Sequence, residues 1–462
     1  MQAWHDGGIA SYFFNPSTTF PGAGNKYIQN YAPDFMQTEG KFFYLSHPPF
    51  AYYFPYVIFS ILNIYPNVAA LQVFNILFHF ITSVFLYLIV CQLLQEDARK
   101  QFSWAGFFSS LFYFFMPATL WFHSNVYMSD MFVQNMWIIS LYFLFIIIFQ
   151  KNKQNKIWLF LFALSIFITI YTDWVGVFFS AAAILFFMQN IFRRNPSYKP
   201  LLVSTIIATL MSLGLIAVQY SAINGWRSLL KYFTSDYTIR GSTYSPDSIF
   251  LSLRTLAFNY GVSYLPLIIF ILAAGVWNLV RKKRNSVLSL HHYSSFAWFT
   301  LFPVLSDHAI FLNYSGHDFS VLKASFFLCA TGGILLYKLM TELKSLPTLK
   351  SLLFAFTICA GGIIMYFLIN PPGKLSLEHD PYDAEIKTGY FIADHSTKDE
   401  VVFADNMEVT PQVIFYAHRN IMKIKNDSDA VRFLTINNEE NGIVISNKND
   451  SLQFQVIKAQ KN

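Results

Sequence analysis

Residues 68–94 read VAALQVFNILFHFITSVFLYLIVCQLL and contain no Asp, Glu, Lys or Arg. A helix needs roughly 20 apolar residues to cross the hydrocarbon core of a bilayer, so this stretch predicts a membrane-spanning helix. The same pattern recurs along the chain and predicts about ten spans. They are 68–94, 103–122, 130–150, 157–172, 174–192, 201–223, 258–280, 293–305, 319–340 and 351–370.

The composition supports a multi-span α-helical membrane protein. The chain is 54% hydrophobic, 19% aromatic and 13% charged, whereas soluble domains are about 25% charged. The net charge is +6, but the basic residues are dispersed in short loops, so no nucleic-acid partner is expected. Cys91, Cys329 and Cys359 lie inside apolar segments and are expected to be core residues.

The loops between the predicted spans differ in charge, and this difference predicts the topology. Basic clusters fall in 95–101, 151–156, 193–199, 281–284 and 341–350. Because Lys and Arg accumulate in cytoplasmic loops, these loops are expected inside the cell. The other loops, including 224–257, are then external and carry Asp6, Asp130, Asp173, Asp307 and Asp318. Carboxylates gathered at one membrane boundary indicate chemistry at that boundary.

The two termini extend this topology. An even number of spans places both outside, yet residues 1–50 contain no segment that could carry them across. We therefore expect a first helix upstream of Met1; the alternative is that 51–66 spans. The expected domains are an external first loop with interfacial helices (1–66), a transmembrane helical domain (67–371) and an exported α/β domain (372–462).

The exported domain is predicted from a change of pattern after residue 373. Buried strands are expected at 401–404, 420–424 and 442–446, with amphipathic helices at 384–394, 411–418 and 428–435. This alternation is typical of a small, partly parallel α/β sheet. No Gly-rich phosphate loop accompanies it, so docking of an acceptor or packing on the membrane domain is its expected role.

Three short stretches outside the spans combine residues suited to chemistry. Asp6 precedes two glycines in WHDGGIASY (4–12), which let a backbone approach a ligand closely. His47 precedes Pro48-Pro49 at the start of an aromatic helix, where backbone N–H groups favour an anion. Asp130 follows Ser129 at the opening of a span. Taken singly, these are also ordinary turn, helix-entry and capping residues.

Together, the acid, the His-Pro-Pro turn and the Ser-Asp pair resemble the motif series of membrane glycosyltransferases that use polyprenyl-phosphate sugars. This group includes the protein O-mannosyltransferases and the lipid A aminoarabinose transferases and shares the GT-C architecture. Asp6 matches the Asp of an Asp-Glu pair in the first external loop of the group. Gly7 stands where the Glu is usual.

The resemblance implies an inverting glycosyltransferase that moves a sugar from a polyprenyl-phosphate donor to an acceptor hydroxyl at the external face of a cell (inner) membrane. Asp6 and Asp130 are the expected catalytic residues, with Asp6 as base. The acceptor would be a glycan, a lipid or a protein, and membrane lipid surrounds the chain. The expected substrate-binding residues are His5, His47, Arg254, Asp307, His308, His317, Asp318 and Lys323.

No cofactor is required by this chemistry, although an acid set of this kind could also hold a divalent metal. Three other functions fit parts of the pattern. A lipid-linked sugar flippase or transporter would place its ionisable residues near the bilayer midplane. A polysaccharide polymerase or ligase would rely on external histidines and arginines, for which the 317–318 pair is suitable. A structural or sensory protein would have no reason to cluster carboxylates on one face.

Overall fold

A computed structural model describes residues 1–20, 37–38, 41–96, 101–125, 127–149, 155–241, 246–281, 290–343, 348–369, 383–405, 407–448 and 451–460. The chain divides into two compact units. One comprises Met1–Leu45, Gln219–Tyr232 and Asn370–Asn462, and the other comprises Ser46–Val218 and Phe233–Ile369. We refer to them as the small unit and the large unit.

The helices and strands are numbered in chain order. The helices are α1 (Gln2–Gly7), α2 (Phe50–Ile61), α3 (Val68–Leu94), α4 (Trp104–Phe115), α5 (Pro117–Asn125), α6 (Ser129–Phe149), α7 (Lys156–Thr172), α8 (Val175–Phe192), α9 (Lys199–Arg240), α10 (Pro246–Arg281), α11 (Leu290–Ile310), α12 (Ser325–Glu342), α13 (Thr348–Ile369), α14 (Asp383–His395), α15 (Pro411–Ala417) and α16 (Asp427–Asn437). The strands are β1 (Gln37–Thr38), β2 (Lys41–Phe42), β3 (Val401–Asp405), β4 (Ile421–Ile424), β5 (Asn441–Lys448) and β6 (Ser451–Lys458).

Helices occupy each of the ten segments predicted to span the membrane, which confirms a multi-span helical membrane protein. Within the described parts of the chain, 7 helices are long and apolar enough to cross a bilayer one by one. The bent pair α4–α5 raises the number to 8. The segment 224–257 differs from the predicted loop, because α9 extends to Arg240 after a break at Asn224 and Gly225, and α10 begins at Pro246.

The bend between α4 and α5 is 57° and follows from Pro117. A proline has no N–H for the helix ladder and pushes the residue before it out of the helical region. Met116 accordingly has φ −66° and ψ 142°. The carbonyls released by the bend find side-chain donors: Thr119 Oγ1 donates to the Tyr113 carbonyl, and His79 Nε2 lies 3.0 Å from the Phe114 carbonyl. Backbone groups at membrane depth must be satisfied in this way.

In the large unit, α2 packs on α3 and α6 through aromatic side chains. Phe54 lies against Phe74, Phe78 and Phe132, with ring centroids 5.3 to 6.1 Å apart. The hydroxyl of Tyr127 donates to the Ala51 carbonyl. These contacts hold the start of α2, and with it the His-Pro-Pro turn, against the start of α6.

In the small unit, four of the described strands form a sheet in the order β4-β3-β5-β6. β3 is parallel to β4 and β5, and β6 is antiparallel to β5. Apolar residues of α14 and α15 cover one face, and residues of α16 cover the other. The partly parallel α/β sheet is therefore confirmed, and β6 adds a strand that was not predicted.

The N-terminal residues of the small unit are tied to this sheet. The Phe20 N–H donates to Asn420 Oδ1 at 3.2 Å, and Asn420 Nδ2 donates to the Phe20 carbonyl at 3.1 Å. The Leu45 carbonyl accepts hydrogen bonds from the hydroxyls of Tyr220 and Tyr232, at 3.0 and 2.6 Å. Segments from three parts of the chain thus belong to one unit.

A close contact between α12 and α4 gives a test of the packing. A Cβ added at Gly333 of α12 would lie 2.2 Å from Ser109 Oγ and 2.4 Å from its backbone nitrogen on α4. Gly333→Ala should therefore destabilise the protein by about 1–3 kcal/mol. Thermal unfolding of the purified protein in detergent measures this change.

Gly361→Ala on α13 is the matched control, because a Cβ there meets nothing within 4 Å. An alanine in a helix interior is favoured over glycine by about 1 kcal/mol, so this variant should unfold at an equal or higher temperature. Equal unfolding temperatures for the two variants would contradict the α4–α12 contact.

Candidate active site

Helix ends of the large unit bring three buried carboxylates together. Asp130 lies in the first turn of α6, Asp173 joins α7 to α8, and Asp307 lies in the last turn of α11. Their relative exposures are 0%, 2% and 2%. Buried carboxylates need paired charges or hydrogen bonds, because isolated ions are costly to remove from water.

Lys323 supplies one of these charges. It belongs to a 3₁₀ helix, Asp318–Ala324, which runs directly into α12. Its Nζ lies 2.6 Å from Asp307 Oδ2 and 3.8 Å from Asp130 Oδ1, and the residue is 2% exposed. The ammonium group thus lies between two of the three carboxylates.

His47 links the third carboxylate, that of Asp173, to the cluster. Its Nδ1 lies 2.7 Å from Asp173 Oδ2, and its Nε2 lies 4.0 Å from Asp130 Oδ2. The turn that carries it is held from two sides, because Trp174 Nε1 and Arg240 Nη1 both donate to the Ser46 carbonyl, at 2.9 and 3.3 Å. The Pro-Pro pair then starts α2 directly after His47.

Asp173 is held as an ionised carboxylate. Its Oδ1 accepts a hydrogen bond from the Val175 N–H at 3.0 Å, at the start of α8. Burial alone would raise the pKa of Asp173, but the charges of His47 and Lys323 and the hydrogen bonds it accepts outweigh burial. The pKa is lowered from 3.8 to about 2, so the group is negatively charged at neutral pH.

Tyr314 lies at the centre of the cluster. Its hydroxyl is 3.0 Å from His47 Nε2 and donates to Asp130 Oδ2 at 3.4 Å. Two cations face its ring: the Arg240 guanidinium carbon is 4.7 Å and Lys323 Nζ 5.7 Å from the centroid. Arg240 also pairs with Asp236, with Nε 2.9 Å from Oδ1. Both distances to the ring centroid lie within the range at which an aromatic ring attracts a cation.

His308 positions the turn that carries Tyr314. Its Nε2 lies 2.9 Å from the Tyr260 hydroxyl, and its Nδ1 lies 2.8 Å from the Ser315 hydroxyl. Ser315 follows Tyr314 in the 3₁₀ turn Tyr314–Gly316. These two hydrogen bonds of His308, to Tyr260 and to Ser315, fix the turn beside α11.

The structure brings several predicted site residues together and leaves others apart. His47, Asp130, Asp307 and Lys323 meet in the cluster, and His308 lies at its edge. Arg254, His317 and Asp318 are exposed. The His317 ring stacks on Phe319 at 5.1 Å, and Asp318 Oδ1 accepts the Phe319 N–H at 2.9 Å.

Asp6 and His5 belong to the small unit. Asp6 Oδ1 lies 3.2 Å from His5 Nδ1, and its Oδ2 lies 3.8 Å from Lys398 Nζ. The Asp6 side chain is 13% exposed. This carboxylate therefore contacts an imidazole and an ammonium group and is also reachable from solvent.

Three members of the cluster were not among the predicted site residues: Asp173, which was named only as one of the external carboxylates, Tyr314 and Arg240. Asp173 looked like an ordinary external acid in a tight turn between two spans, and its position there was the available signal. Tyr314 lies between the Asp307-His308 and His317-Asp318 pairs, which were both predicted to bind substrate. Arg240 ends α9, in the segment that was predicted to be an external loop.

A divalent cation is compatible with part of this site. His47, Asp130 and Asp173 each offer one ligand atom, and these atoms lie within 4.8 Å of one another. Imidazole nitrogen with carboxylate oxygen is a donor set that zinc and similar ions accept. The set is buried, and Lys323 and Tyr314 also contact it.

Comparisons with known proteins were made for the sequence and for the fold. No family model and no curated protein matches the sequence. The fold is similar to that of ArnT from Cupriavidus metallidurans bound to undecaprenyl phosphate, with a TM-score of 0.59 and 12% identity over 88% of this chain and 83% of that chain. The apo state of ArnT gives 0.55 and 11% over 95% and 91%.

A third solved structure is the archaeal oligosaccharyltransferase AglB from Archaeoglobus fulgidus in complex with an inhibitory peptide and a dolichol-phosphate. It has a TM-score of 0.51 and 10% identity, over 88% of this chain and 62% of that chain. The matches confirm the predicted GT-C-like membrane architecture. At this identity the similarity concerns the fold.

The His47–Asp173 pair gives a test of the cluster. Asp173→Asn removes one partner of a buried ion pair and should cost about 3 kcal/mol of stability. Because the pKa of Asp173 is lowered from 3.8 to about 2, the carboxylate contributes fully above pH 3.8 and loses its contribution as the pH falls towards about 2. Thermal unfolding at a series of pH values should show wild type and variant converging only in that acidic window.

Asp318→Asn serves as the control, because Asp318 is exposed. It should change stability by less than about 0.5 kcal/mol. If Asp173→Asn behaved like Asp318→Asn at neutral pH, the ion pair would not be a stabilising part of the fold.

Proposed function

We propose that the protein is an inverting glycosyltransferase that moves a sugar from a polyprenyl-phosphate donor to an acceptor hydroxyl. The observation that carries this proposal is the buried cluster of Asp130, Asp173, His47, Lys323 and Tyr314 in a GT-C-like membrane fold. ArnT was solved with undecaprenyl phosphate and AglB with dolichol-phosphate and a peptide. These lipid ligands support a lipid-phosphate donor here, and we propose a lipid, glycan or protein as the acceptor.

The leaving group of this reaction is a lipid phosphate, whose negative charge must be stabilised as the glycosidic bond breaks. Preorganised cations and hydrogen-bond donors do this best where water is excluded. His47, Arg240 and Tyr314 offer imidazole, guanidinium and hydroxyl groups around one point. The Arg240 side chain is 13% exposed and Tyr314 is half-buried, so a donor phosphate can reach both more readily than the buried His47.

The acceptor hydroxyl must lose a proton as its oxygen attacks the anomeric carbon. In one displacement the new C–O bond forms, the C–O bond to phosphate breaks with its electron pair, and the configuration inverts. A general base must come within about 3 Å of the hydroxyl. Asp6 is 13% exposed and Asp130 is 1% exposed at its side chain. We therefore assign the base to Asp6 and the orientation of Tyr314 and His47 to Asp130.

The cellular arrangement belongs to the same proposal. Basic clusters in alternate loops favour a cytoplasmic side, which places the start of α6 and the end of α11 at the external, periplasmic face of a cell (inner) membrane. The exposed residues Arg254, His317 and Asp318 remain candidates for donor binding, and His5 for binding beside Asp6. The α/β sheet of the small unit is the candidate surface for docking the acceptor.

The reaction is tested by transfer of labelled sugar in proteoliposomes, with a panel of undecaprenyl-phosphate sugars as donors. Asp6→Asn should lower kcat by about 10²–10⁴-fold if Asp6 is the base. Asp130→Asn should reduce transfer less, because it disturbs orientation. Asp399→Asn, an exposed acid next to Lys398, should leave the rate unchanged.

The outcomes separate the assignments. A larger loss in Asp130→Asn than in Asp6→Asn would move the base to Asp130. If no donor supports transfer while labelled lipid still crosses the bilayer, the enzyme proposal fails and a flippase takes its place.

The two arginines test donor binding. Arg240→Gln removes a charged hydrogen-bond donor beside Tyr314 and should raise the donor KM by about 10–100-fold, from about 1.5–3 kcal/mol per charged hydrogen bond. Arg254→Gln, at an exposed position of α10, should raise it by less than about threefold. Donor titrations of both variants give the comparison, and an equal or larger effect at Arg254 would place the phosphate elsewhere.

A further inference from the structure

We propose that Lys323 is the resident cation of this site. It takes the electrostatic place of a divalent metal, and its loss converts the cluster into a metal-binding site. The role of Lys323 in transfer rests on the proposed function, whereas the change in metal binding does not. The sequence analysis assigned Lys323 to the donor pocket, and the geometry gives it a different task.

The position of the ammonium group carries the inference. Nζ contacts Asp307 Oδ2 at 2.6 Å and lies 3.8 Å from Asp130 Oδ1, inside a set of carboxylates that includes Asp173. Lys323 is 2% exposed, so its ammonium group is shielded from the solvent. A bound metal in a carboxylate cluster is held by the same kind of oxygen atoms.

Charge balance points the same way. Asp130, Asp173 and Asp307 bring three negative charges when ionised, and the Lys323 ammonium offsets part of this charge from within contact distance. Arg240 is paired with Asp236 and adds no net charge. A divalent ion on Asp130 would lie within a few ångströms of the ammonium, where repulsion is strong in a poorly screened interior.

The nearest ligand set is also engaged by partners within the chain. His47 Nδ1 lies 2.7 Å from Asp173 Oδ2, so these two groups are already in close contact. A metal among His47, Asp130 and Asp173 would have to separate them, because it needs both the imidazole and the carboxylate as ligands. Metal binding is thus opposed by Lys323 and by the His47–Asp173 contact. A single substitution removes Lys323 and leaves all three ligands in place, whereas removing the His47–Asp173 contact by substitution would remove a ligand.

The experiment measures Mn²⁺ binding to the purified full chain by electron paramagnetic resonance. Wild type should hold no Mn²⁺ after chelation and exchange, and Lys323→Ala should hold about one ion per chain. Adding Asp130→Asn to Lys323→Ala should abolish this binding. Lys338→Ala is the matched control, because it removes a lysine that lies on α12, pairs with Glu342 and is outside the cluster. It should behave like wild type.

Two results would overturn the proposal. One is a wild-type protein that binds Mn²⁺ and loses the ion on Asp130→Asn. The other is a folded Lys323→Ala protein that binds none. Lys323→Met keeps the side-chain length without the charge and replaces the alanine variant if that variant does not fold. Folding of either variant only with Mn²⁺ in the medium supports the proposal, and failure of both with Mn²⁺ present overturns it.

The transfer assay adds a second readout. Chelator should change the wild-type rate by less than about twofold, and Mn²⁺ should restore part of the rate lost in Lys323→Ala. A wild-type rate that disappears with chelator and returns with Mn²⁺ also overturns the resident-cation role. Absence of transfer with every donor counts against the proposed function and leaves the binding comparison intact.

Discussion

The cluster depends on the buried contact between the Lys323 ammonium and the Asp307 carboxylate. Asp307 ends one helix of the large unit, and Lys323 belongs to the 3₁₀ turn that leads into another. Without this contact, the Asp307 carboxylate would lose its nearest cation where water is largely excluded, which would destabilise both helix ends. Asp130 then finds a cation 3.8 Å away at the start of α6. One ion pair therefore fixes the meeting point of three helix ends.

The other contacts of the cluster are of two kinds. Some hold buried groups in place, and others involve half-buried groups that a substrate can reach. The His-Pro-Pro turn is held in place by two contacts: Asp173 lies against His47, and Trp174 donates to the carbonyl of the preceding residue, Ser46. Tyr314 and Arg240 lie on the side of the cluster that is less buried. A site for a charged, bulky lipid phosphate needs both properties, because the protein must hold its own charges in place and still admit those of the substrate.

Much of this organisation is visible in the sequence, and the missing parts have physical reasons. Apolar length and charge patterns predict the spans because membrane insertion depends on them directly. The acids Asp130 and Asp307 were identified because they interrupt apolar segments. Asp173 and Tyr314 were missed because a turn accounts for each one locally, while their partners lie far away along the chain; His47 and Tyr314 are 267 residues apart. Strand β6 was missed because SLQFQVIK is mostly exposed and lacks the continuous apolar run of a buried strand.

The bend at Pro117 changes how a titratable residue inside a span should be understood. His79 lies within α3, and an ionisable side chain at such a position is usually a first suspect for a proton or substrate path. Here its Nε2 faces the Phe114 carbonyl that the bend has released, while Thr119 serves the Tyr113 carbonyl. The imidazole therefore provides a hydrogen-bond partner for a backbone carbonyl that lost its helical partner at the bend. Pro117 creates the unpaired carbonyl, and His79 on a neighbouring helix contacts it. The structural role of His79 therefore depends on the bend at Pro117.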